Sequence, residues 1–298
     1  MINCLIRGAV LGAVMGAAGA TGAAATTRDL QPDEQSTIVV TGQRNTEKDM
    51  QDFVRALTPA TVGGRLSRFE KSICPIATGL PRQQREAVAD RMRRVAQSAG
   101  IQTGGKSCAP NVVVVVTQDK NAFVQALRRS RSDYFGTMSQ RSIRELAQQP
   151  GPAVAWQLQG PPVNARGVEM DIDPALGVYV NRTTDPASRL EQAARPQFDG
   201  AVVIIERKAL DGLTVTQLGD YAAMRAFAGM DTARLAKSGT PTILRVLEAP
   251  MGSEVVASLT QWDLGFLRGL YAAPRNLRAE AQRSAIGRSI AKDVAQRR

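Results

Sequence analysis

Histidine is missing from all 298 residues of this chain. Because histidine is the usual general base at neutral pH and the commonest zinc ligand, its absence excludes Ser-His-Asp, Cys-His and HExxH chemistry. A hydrolase would have to use a pair of carboxylates or a Ser-Lys dyad instead. Nothing in the spacing singles out a dyad such as Lys208 with Ser139 or Ser142. The sequence therefore predicts no catalytic, cofactor-binding or metal-binding residue, and no cofactor.

Aromatic residues make up 4% of the chain, and long apolar runs are lacking outside the first 25 residues. There Arg7 precedes a tract rich in Ala and Gly that ends in A-x-A patterns at 18–20 and 23–25, the layout of a cleaved secretory signal peptide. A membrane anchor is the alternative, but the tract is short and weakly apolar. We expect a signal peptide at 1–25, a flexible leader at 26–48, and a periplasmic or secreted mature chain without a transmembrane segment.

Three cysteines are present, and Cys4 would leave with the signal peptide. Cys74 and Cys108 remain, an even pair in an oxidising compartment, where such pairs usually form a disulfide. In the chain-entropy model this bond would stabilise the fold by roughly 3 to 4 kcal/mol. A redox-active pair is the alternative, but it usually has CxxC spacing, which these residues lack. The sequence therefore predicts a Cys74–Cys108 disulfide.

Acidic residues are outnumbered, with 27 Asp and Glu against 38 Lys and Arg and a net charge of +11. Such a balance favours anionic partners, among them nucleic acid, anionic lipid and polysaccharide. The arginines are spread over several predicted helices, however, and aromatic residues do not alternate with them as single-strand binders require. We predict no nucleic-acid partner, and a solvated basic surface available to an unknown envelope protein or an anionic surface component.

Strands and helices alternate along the predicted mature chain. Two β-branched segments, at 111–117 and 201–206, predict fully buried strands. Weaker patterns predict strands at 69–76, 153–159 and in a hairpin around 177–180. Apolar periodicity and capping residues predict helices at 82–99, after Asp119, and at 139–148, 214–228 and 259–271. The alternation predicts an α+β (or α/β) fold, a layered mixed sheet with flanking helices in one domain at 49–298.

The last segment, 276–298, predicts a basic amphipathic helix. Arginines and a lysine occupy one side, and Ile286 and Ile290 are among the apolar residues of the other. Such a helix could lie on an anionic membrane surface. Its apolar side lacks Trp, Phe or a run of Leu, so we expect it to pack on the domain instead.

One phosphate-binding pattern occurs in full, at 100–107, where GIQTGGKS fits G-x-x-x-x-G-K-[ST]. A phosphate-binding loop needs a strand before it and a helix after it, so that backbone N–H groups face the phosphates. Here a predicted helix precedes the loop and a predicted strand follows it. We therefore interpret it as a glycine-rich connection held by the disulfide.

Two sets of carboxylates remain as candidate chemistry. Glu169, Asp171 and Asp173 alternate, and on a strand they would share one face, where they could bind Ca²⁺ or supply a catalytic carboxylate. The alternative is the solvated face of an edge strand. The second set comprises Glu206, Asp211 and Asp220, around the predicted start of helix 214–228, where carboxylates usually act as caps or dipole partners.

Several of these segments, taken together, resemble segments of known protein families. ICPIATGLP at 73–81, the Arg-rich helix after it and CAPNV at 108–112 resemble an uncharacterised family of exported Gram-negative envelope proteins. LTQWDLGFLRGLYAAP at 259–274 is similar to the segment behind the active-site helix of zincin-like metalloproteases. The resemblance implies that helix 214–228 stands where that fold has its metal-binding helix. This helix lacks the HExxH motif, so the resemblance implies a metalloprotease-like scaffold without its metal.

The functional expectation follows from these exclusions. We expect an exported, non-catalytic envelope protein that binds a partner or an anionic surface component. The alternative is a carboxylate-dependent hydrolase acting on a cell-envelope substrate, which would need two carboxylates about 5 to 10 Å apart across a cleft.

Overall fold

The computed structural model describes residues 47–58, 64–105, 107–164, 166–182, 194–230, 235, 240–250, 253–274 and 277–295. The predicted signal peptide and the predicted leader up to residue 46 lie outside the described residues. Among the described residues, no helix has both the length and the apolar character needed to cross a bilayer. The first described helix begins at Glu47, two residues before the predicted start of the domain.

Seven α-helices and nine strands form the described part of the chain. The helices are α1 Glu47–Leu57, α2 Arg82–Ser98, α3 Lys120–Ser130, α4 Gln140–Ala147, α5 Val215–Phe227, α6 Gln261–Ala272 and α7 Ala279–Ala295. The strands are β1 Arg68–Phe69, β2 Pro75–Thr78, β3 Val112–Thr117, β4 Ala153–Gln159, β5 Val163–Asn164, β6 Asp171–Ile172, β7 Tyr179–Val180, β8 Ala194–Arg195 and β9 Gln197–Glu206.

A mostly parallel sheet lies at the centre, and β9 is its organising strand. β3 pairs in parallel with β2 on one side and with β9 on the other. The short β1 also pairs in parallel with β9, at its first two residues. β4 pairs with the opposite edge of β9 and runs antiparallel to it. The predicted class, a layered mixed sheet with flanking helices, is confirmed.

Side chains alternate between the two faces of the sheet. Val112, Val114 and Val116 of β3 pack into the larger apolar core, together with α1, α2, α5, α6 and α7. Val115 instead packs with α3 and α4 and with Trp156 of β4 in a smaller core. Because helices cover both faces, each face requires apolar residues, which explains the unbroken valine run of this strand.

Glycines set the spacing between α6 and α7. A Cβ added to Gly269 would lie 2.6 Å from the Ile286 Cα, and one added to Gly265 would lie 2.8 Å from the Ile290 Cα. The two helices can therefore approach closely, and both isoleucines are fully buried. The predicted packing of the C-terminal helix on the domain is confirmed, with helical bounds narrower than 276–298.

The predicted strand at 69–76 is wrong, because the structure divides this segment. β1 ends at Phe69 and pairs with β9, whereas β2 begins at Pro75 and pairs with β3. Between them, Glu70 is held by ion pairs with Arg68 at 2.9 Å and with Arg195 at 2.5 Å. The side chain of Glu70 is thus held in a buried ion-pair cluster directly after β1 ends. Cys74 lies one residue before the start of β2, so it does not end a strand.

Candidate functional site

The edge of the sheet at β4 is the candidate functional site. Among the described residues, β9 is the only strand that pairs with β4, so the other edge of β4 has no strand beside it. Sheet edges are templates for pairing with another chain, because their N–H and C=O groups lack partners in the sheet. Whether a partner strand can pair with this edge therefore depends on which residues of β4 direct their N–H and C=O groups away from β9.

The register of β4 on β9 identifies the outward residues. The Glu206 N–H donates to the Pro152 carbonyl at 2.8 Å, which makes this a hydrogen-bonded pair. In an antiparallel ladder such pairs alternate with pairs that exchange no hydrogen bond. Val154 and Trp156 therefore bond to β9, while Ala155 and Gln157 direct their N–H and C=O groups away from it. Both outward residues are half-buried.

A groove of about 400 Å³ runs along this edge. Phe198, Phe266 and Leu270 are among the buried apolar residues of its lining. The small residues Ala155 and Gly229 leave room above them. Among the described residues, the lining contains no charged side chain and consists of Leu57, Thr58, Leu66, Ser67, Met138, Ala155, Trp156, Gln157, Gln159, Phe198, Ala228, Gly229, Met230, Phe266 and Leu270.

Gln157 fixes one wall of the groove. Its Nε2 donates to the carbonyl oxygens of Arg225 at 2.8 Å and Ala228 at 3.0 Å, at the end of α5. These carbonyls lack helical partners, so the side-chain amide replaces the hydrogen bonds that the helix end loses. At Gly229 a Cβ would lie 3.2 Å from the Phe198 ring. The segment after α5 therefore passes directly over the aromatic floor.

Asp220, a candidate from the sequence, lies on the far side of α5 from solvent. Its side chain is fully buried and forms two hydrogen bonds with Arg91, at 2.6 and 2.9 Å. It also accepts from the Ser258 hydroxyl at 2.9 Å and the Leu259 N–H at 2.8 Å. Burial raises the pKa of this carboxyl, and these donors oppose that shift. Asp220 therefore connects α2, α5 and the segment before α6, and it is a structural residue.

Asp263 is also a fully buried carboxylate. Thr260 caps α6, and Asp263 completes the predicted capping box by accepting from the Thr260 N–H at 3.0 Å. It also accepts from the Thr242 hydroxyl at 2.5 Å and the Ile243 N–H at 3.0 Å. Burial raises the pKa of Asp263 to about 6, although each of these donors lowers it. The carboxylate fastens the 240–246 segment to the start of α6.

The three alternating carboxylates of 169–173 do not converge. Glu169 Oε1 lies 2.7 Å from Lys71 Nζ and accepts from Gln197 Nε2 at 2.7 Å. Asp171 is exposed in β6, and Asp173 accepts from the backbone amides of its own turn. Among the described residues, no group of three or more acidic, cysteine or histidine side chains is placed to hold a metal ion. The possible Ca²⁺ site therefore gains no support.

The remaining acidic candidates stand apart from the β4 groove. Glu206 ends β9 and pairs with Lys208 at 3.0 Å. Asp211 is exposed after the 3-10 turn Arg207–Leu210. None of the six candidate carboxylates is among the described residues that line the β4 groove or the groove between α1 and α7.

The disulfide and the glycine-rich loop form one structural unit. Cys74 and Cys108 are bonded, with Cα atoms 5.9 Å apart. The loop follows α2 and precedes β3, the order that the sequence predicts, although Lys106 lies outside the described residues. The Gly104 N–H donates to the Ile73 carbonyl at 2.8 Å, and a Cβ there would lie 2.6 Å from the Cys108 Cβ. The loop is thus packed on the disulfide.

The β4 groove was not among the sites that the sequence predicts. AVAWQLQ predicts strand β4, and its bounds are confirmed as Ala153–Gln159. The strand's edge position and its lining partners come from segments far apart in the chain. The one usable signal was Gln157, a polar residue that alternation places on the same face as Ala155.

Comparisons with protein-family models, curated proteins and solved structures find no match to this chain.

Proposed function

We propose that this protein is an exported, non-catalytic binding protein that adds an extended segment of a partner polypeptide to the free edge of β4. The observation that carries the proposal is the outward N–H and C=O pattern of Ala155 and Gln157 beside an apolar groove. In β-strand addition, backbone hydrogen bonds supply affinity, and pockets for alternate side chains supply specificity. Here the edge of β4 would supply the backbone hydrogen bonds, and the groove would supply the pocket for a side chain.

The chemistry of the groove narrows the partner segment. The lining residues that the structure describes carry no charge, although the whole chain has a net charge of +11. A charged side chain placed against Phe198, Phe266 and Leu270 would lose hydration without gaining a counter-ion. The preferred segment is therefore an uncharged strand with at least one large apolar side chain for the aromatic floor. An envelope protein remains the partner class that we favour.

Export is supported by the oxidised cysteine pair. Disulfides persist in secreted proteins and in the bacterial periplasm, and are rare in reducing compartments. The described helices include none fit to span a membrane. The signal-like segment at 1–25 agrees with this compartment, and we propose that the chain works in the periplasm or outside the cell.

The test uses strand-forming peptides selected from a random displayed library on the purified exported protein. Ala155→Pro removes the outward N–H but leaves the hydrogen bonds of Val154 and Trp156 to β9 in place. Selected peptides should bind this variant about ten-fold more weakly, the effect expected for one lost hydrogen bond. Ala155→Ser, which keeps the N–H, is the matched control and should retain affinity.

Hydrogen exchange locates the contact independently of affinity. Bound peptide should protect the amides of Ala155 and Gln157 and leave those of Val154 and Trp156 unchanged, because β9 already holds them. Equal affinity for Ala155→Pro and for the unchanged protein, with protection elsewhere, would refute the strand-addition proposal.

A further inference from the structure

The predicted leader contains a short run of strand-forming residues. Residues 37–41 read TIVVT, five consecutive β-branched residues of the kind that is enriched in strands. The surrounding stretch 35–43 carries no charge and no proline, and Glu34 and Arg44 lie on its two sides. Such a run readily pairs with another strand when its own backbone is left without partners. We name residues 37–41 the leader segment.

The leader segment has the properties that the β4 groove selects. The described lining of this groove is uncharged, and Phe198, Phe266 and Leu270 form its apolar floor. Ile38 and Val40 are two residues apart, so in a strand they would share one face and could both point to this floor. The backbone of the segment would then meet the outward N–H and C=O groups of β4.

The position of α1 brings the leader within reach of this groove. Glu47 is the first residue of α1, which has 11 residues, and Leu57, its last residue, lines the groove. A helix of this length spans about 16 Å. Residues 41–46 can extend to about 20 Å. They are therefore long enough to return along α1 and to bring Val40 to the groove.

The opposite edge of the sheet is a poorer site for the segment. Among the described strands, β2 forms this edge, and it has only four residues. It begins with Pro75, which has no N–H to donate to a neighbouring strand. The Pro75 carbonyl already accepts from Arg93 Nη2 at 3.4 Å. The edge of β4, with seven residues, offers more backbone groups to an added strand.

The groove between α1 and α7 is also a poorer site, although Glu47 lines it and places it next to the leader. Its described lining includes the charged residues Arg55, Glu280, Arg283 and Arg288. An uncharged segment offers these side chains no counter-ion. Two helices also present no strand edge, so the N–H and C=O groups of the segment would lack backbone partners there. The β4 edge alone meets both requirements of the segment.

We infer that the leader segment pairs with the β4 edge of its own molecule, and that a partner strand must displace it. The inference rests on the proposed strand-addition site and adds a means of regulating it. A short tether gives an effective concentration on the order of 1 mM. A segment with a Kd of about 100 μM would then occupy the edge for about nine-tenths of the time, which weakens the apparent affinity for a partner about ten-fold.

Hydrogen exchange on the free exported protein tests the contact directly. Ile38→Ser with Val39→Ser and Val40→Ser defines the leader variant. In the unchanged protein the amides of Ala155 and Gln157 should exchange about ten-fold more slowly than in this variant, because the edge is free for only about a tenth of the time.

The matched control is Leu30→Ser, which removes an apolar side chain of the predicted leader outside the segment. This variant should exchange like the unchanged protein. The amides of Val154 and Trp156, which bond to β9, should stay protected in all three proteins and so report an intact sheet.

Strand-forming peptides selected on the leader variant measure the competition. They should bind this variant about ten-fold more tightly than they bind the unchanged protein or Leu30→Ser. Equal affinity and equal exchange for the leader variant and the unchanged protein would overturn the inference and leave the strand-addition site standing. If the leader variant bound no peptide, that site itself would be refuted, and the inference with it. Protection that falls on dilution would indicate the leader of a second copy and would overturn the assignment to one molecule.

Discussion

In α5 and α6, carboxylates lie inside the protein, whereas in the hairpin at 168–180, which we call the apolar hairpin, large apolar side chains lie on the surface. Asp220 and Asp263 are fully buried, and Leu176 is 72% exposed. Both regions depart from the usual distribution of side chains, in opposite directions. Every buried carboxylate oxygen in the first region accepts hydrogen bonds from groups of other segments. The exposed apolar side chains of the second have no such internal use.

This contrast in burial distinguishes residues that stabilise the fold from residues that are available to contact a partner. A buried charge is tolerated where its hydrogen bonds fix segments that are distant in sequence. Exposed apolar area in a folded protein gains free energy only when another surface covers it. We therefore expect changes in the first region to alter stability, and changes in the second to alter association alone.

The largest effect is expected from Asp220→Ala. This change leaves the Arg91 guanidinium, whose side chain is 12% exposed, without its carboxylate. Removing one member of a buried pair costs about 3 to 5 kcal/mol of unfolding free energy. Urea unfolding followed by circular dichroism measures the loss.

Asp133→Ala supplies the matched control for that change. Arg131 also forms two hydrogen bonds with Asp133, but the two side chains are 40% and 58% exposed. An exposed pair contributes less than about 1 kcal/mol. Equal losses for the two variants would contradict the assignment of Asp220 as an organising residue.

An intermediate effect, dependent on pH, is expected from Asp263. Its pKa rises from 3.8 to about 6 on burial, so the folded protein binds this proton more tightly than the unfolded chain does. The stabilising contribution of the protonated group is complete below pH 4 and is lost as pH rises through 6. A shift of two pKa units corresponds to about 3 kcal/mol.

Asp263→Asn cannot ionise and therefore isolates that contribution. The difference in unfolding free energy between the unchanged protein and this variant should be larger at pH 4 than at pH 7 by about 2 kcal/mol, because the unfolded carboxyl is already partly ionised at pH 4. Urea titrations at the two pH values provide the measurement. A difference that does not vary with pH would show that the carboxyl titrates normally in the folded protein.

The smallest effect on stability is expected from Leu176→Ser in the apolar hairpin. Because Leu176 is 72% exposed, its replacement removes little buried apolar area, and unfolding free energy should change by less than about 0.5 kcal/mol. Leu270→Ala is the contrasting variant, since Leu270 is 2% exposed and such changes cost about 2 to 5 kcal/mol. Thermal melts compare the two, and a large loss for Leu176→Ser would mean that the hairpin is part of the core.

The sequence predicted much of the fold because several elements carry local signals. The valine run predicts β3, and Thr260 with Asp263 predicts the start of α6. The disulfide followed from cysteine count and compartment. Each of these depends on residues close together in the chain or on composition, and each is confirmed by the structure.

The candidate site could not be predicted in the same way. The Arg91–Asp220 pair joins residues 129 positions apart, and nothing near either residue indicates the other. The hydrogen-bonding direction of Ala155 depends on the register with β9, which periodicity cannot supply. At 69–76 the composition favours one strand, but the buried pairing of Glu70 divides it. In all three cases the local structure is determined by contacts between residues that are far apart in the sequence.

The central position of β9 also governs the order in which the protein can fold. β1, β3 and β4 all precede β9 in the chain, and each needs it as a neighbour in the sheet. A nascent chain that ends before residue 197 leaves only the β2–β3 pair of that sheet able to form. Such high contact order makes folding slow and late. If the chain is exported, as we propose, late folding would leave it unfolded and competent for translocation until synthesis is well advanced.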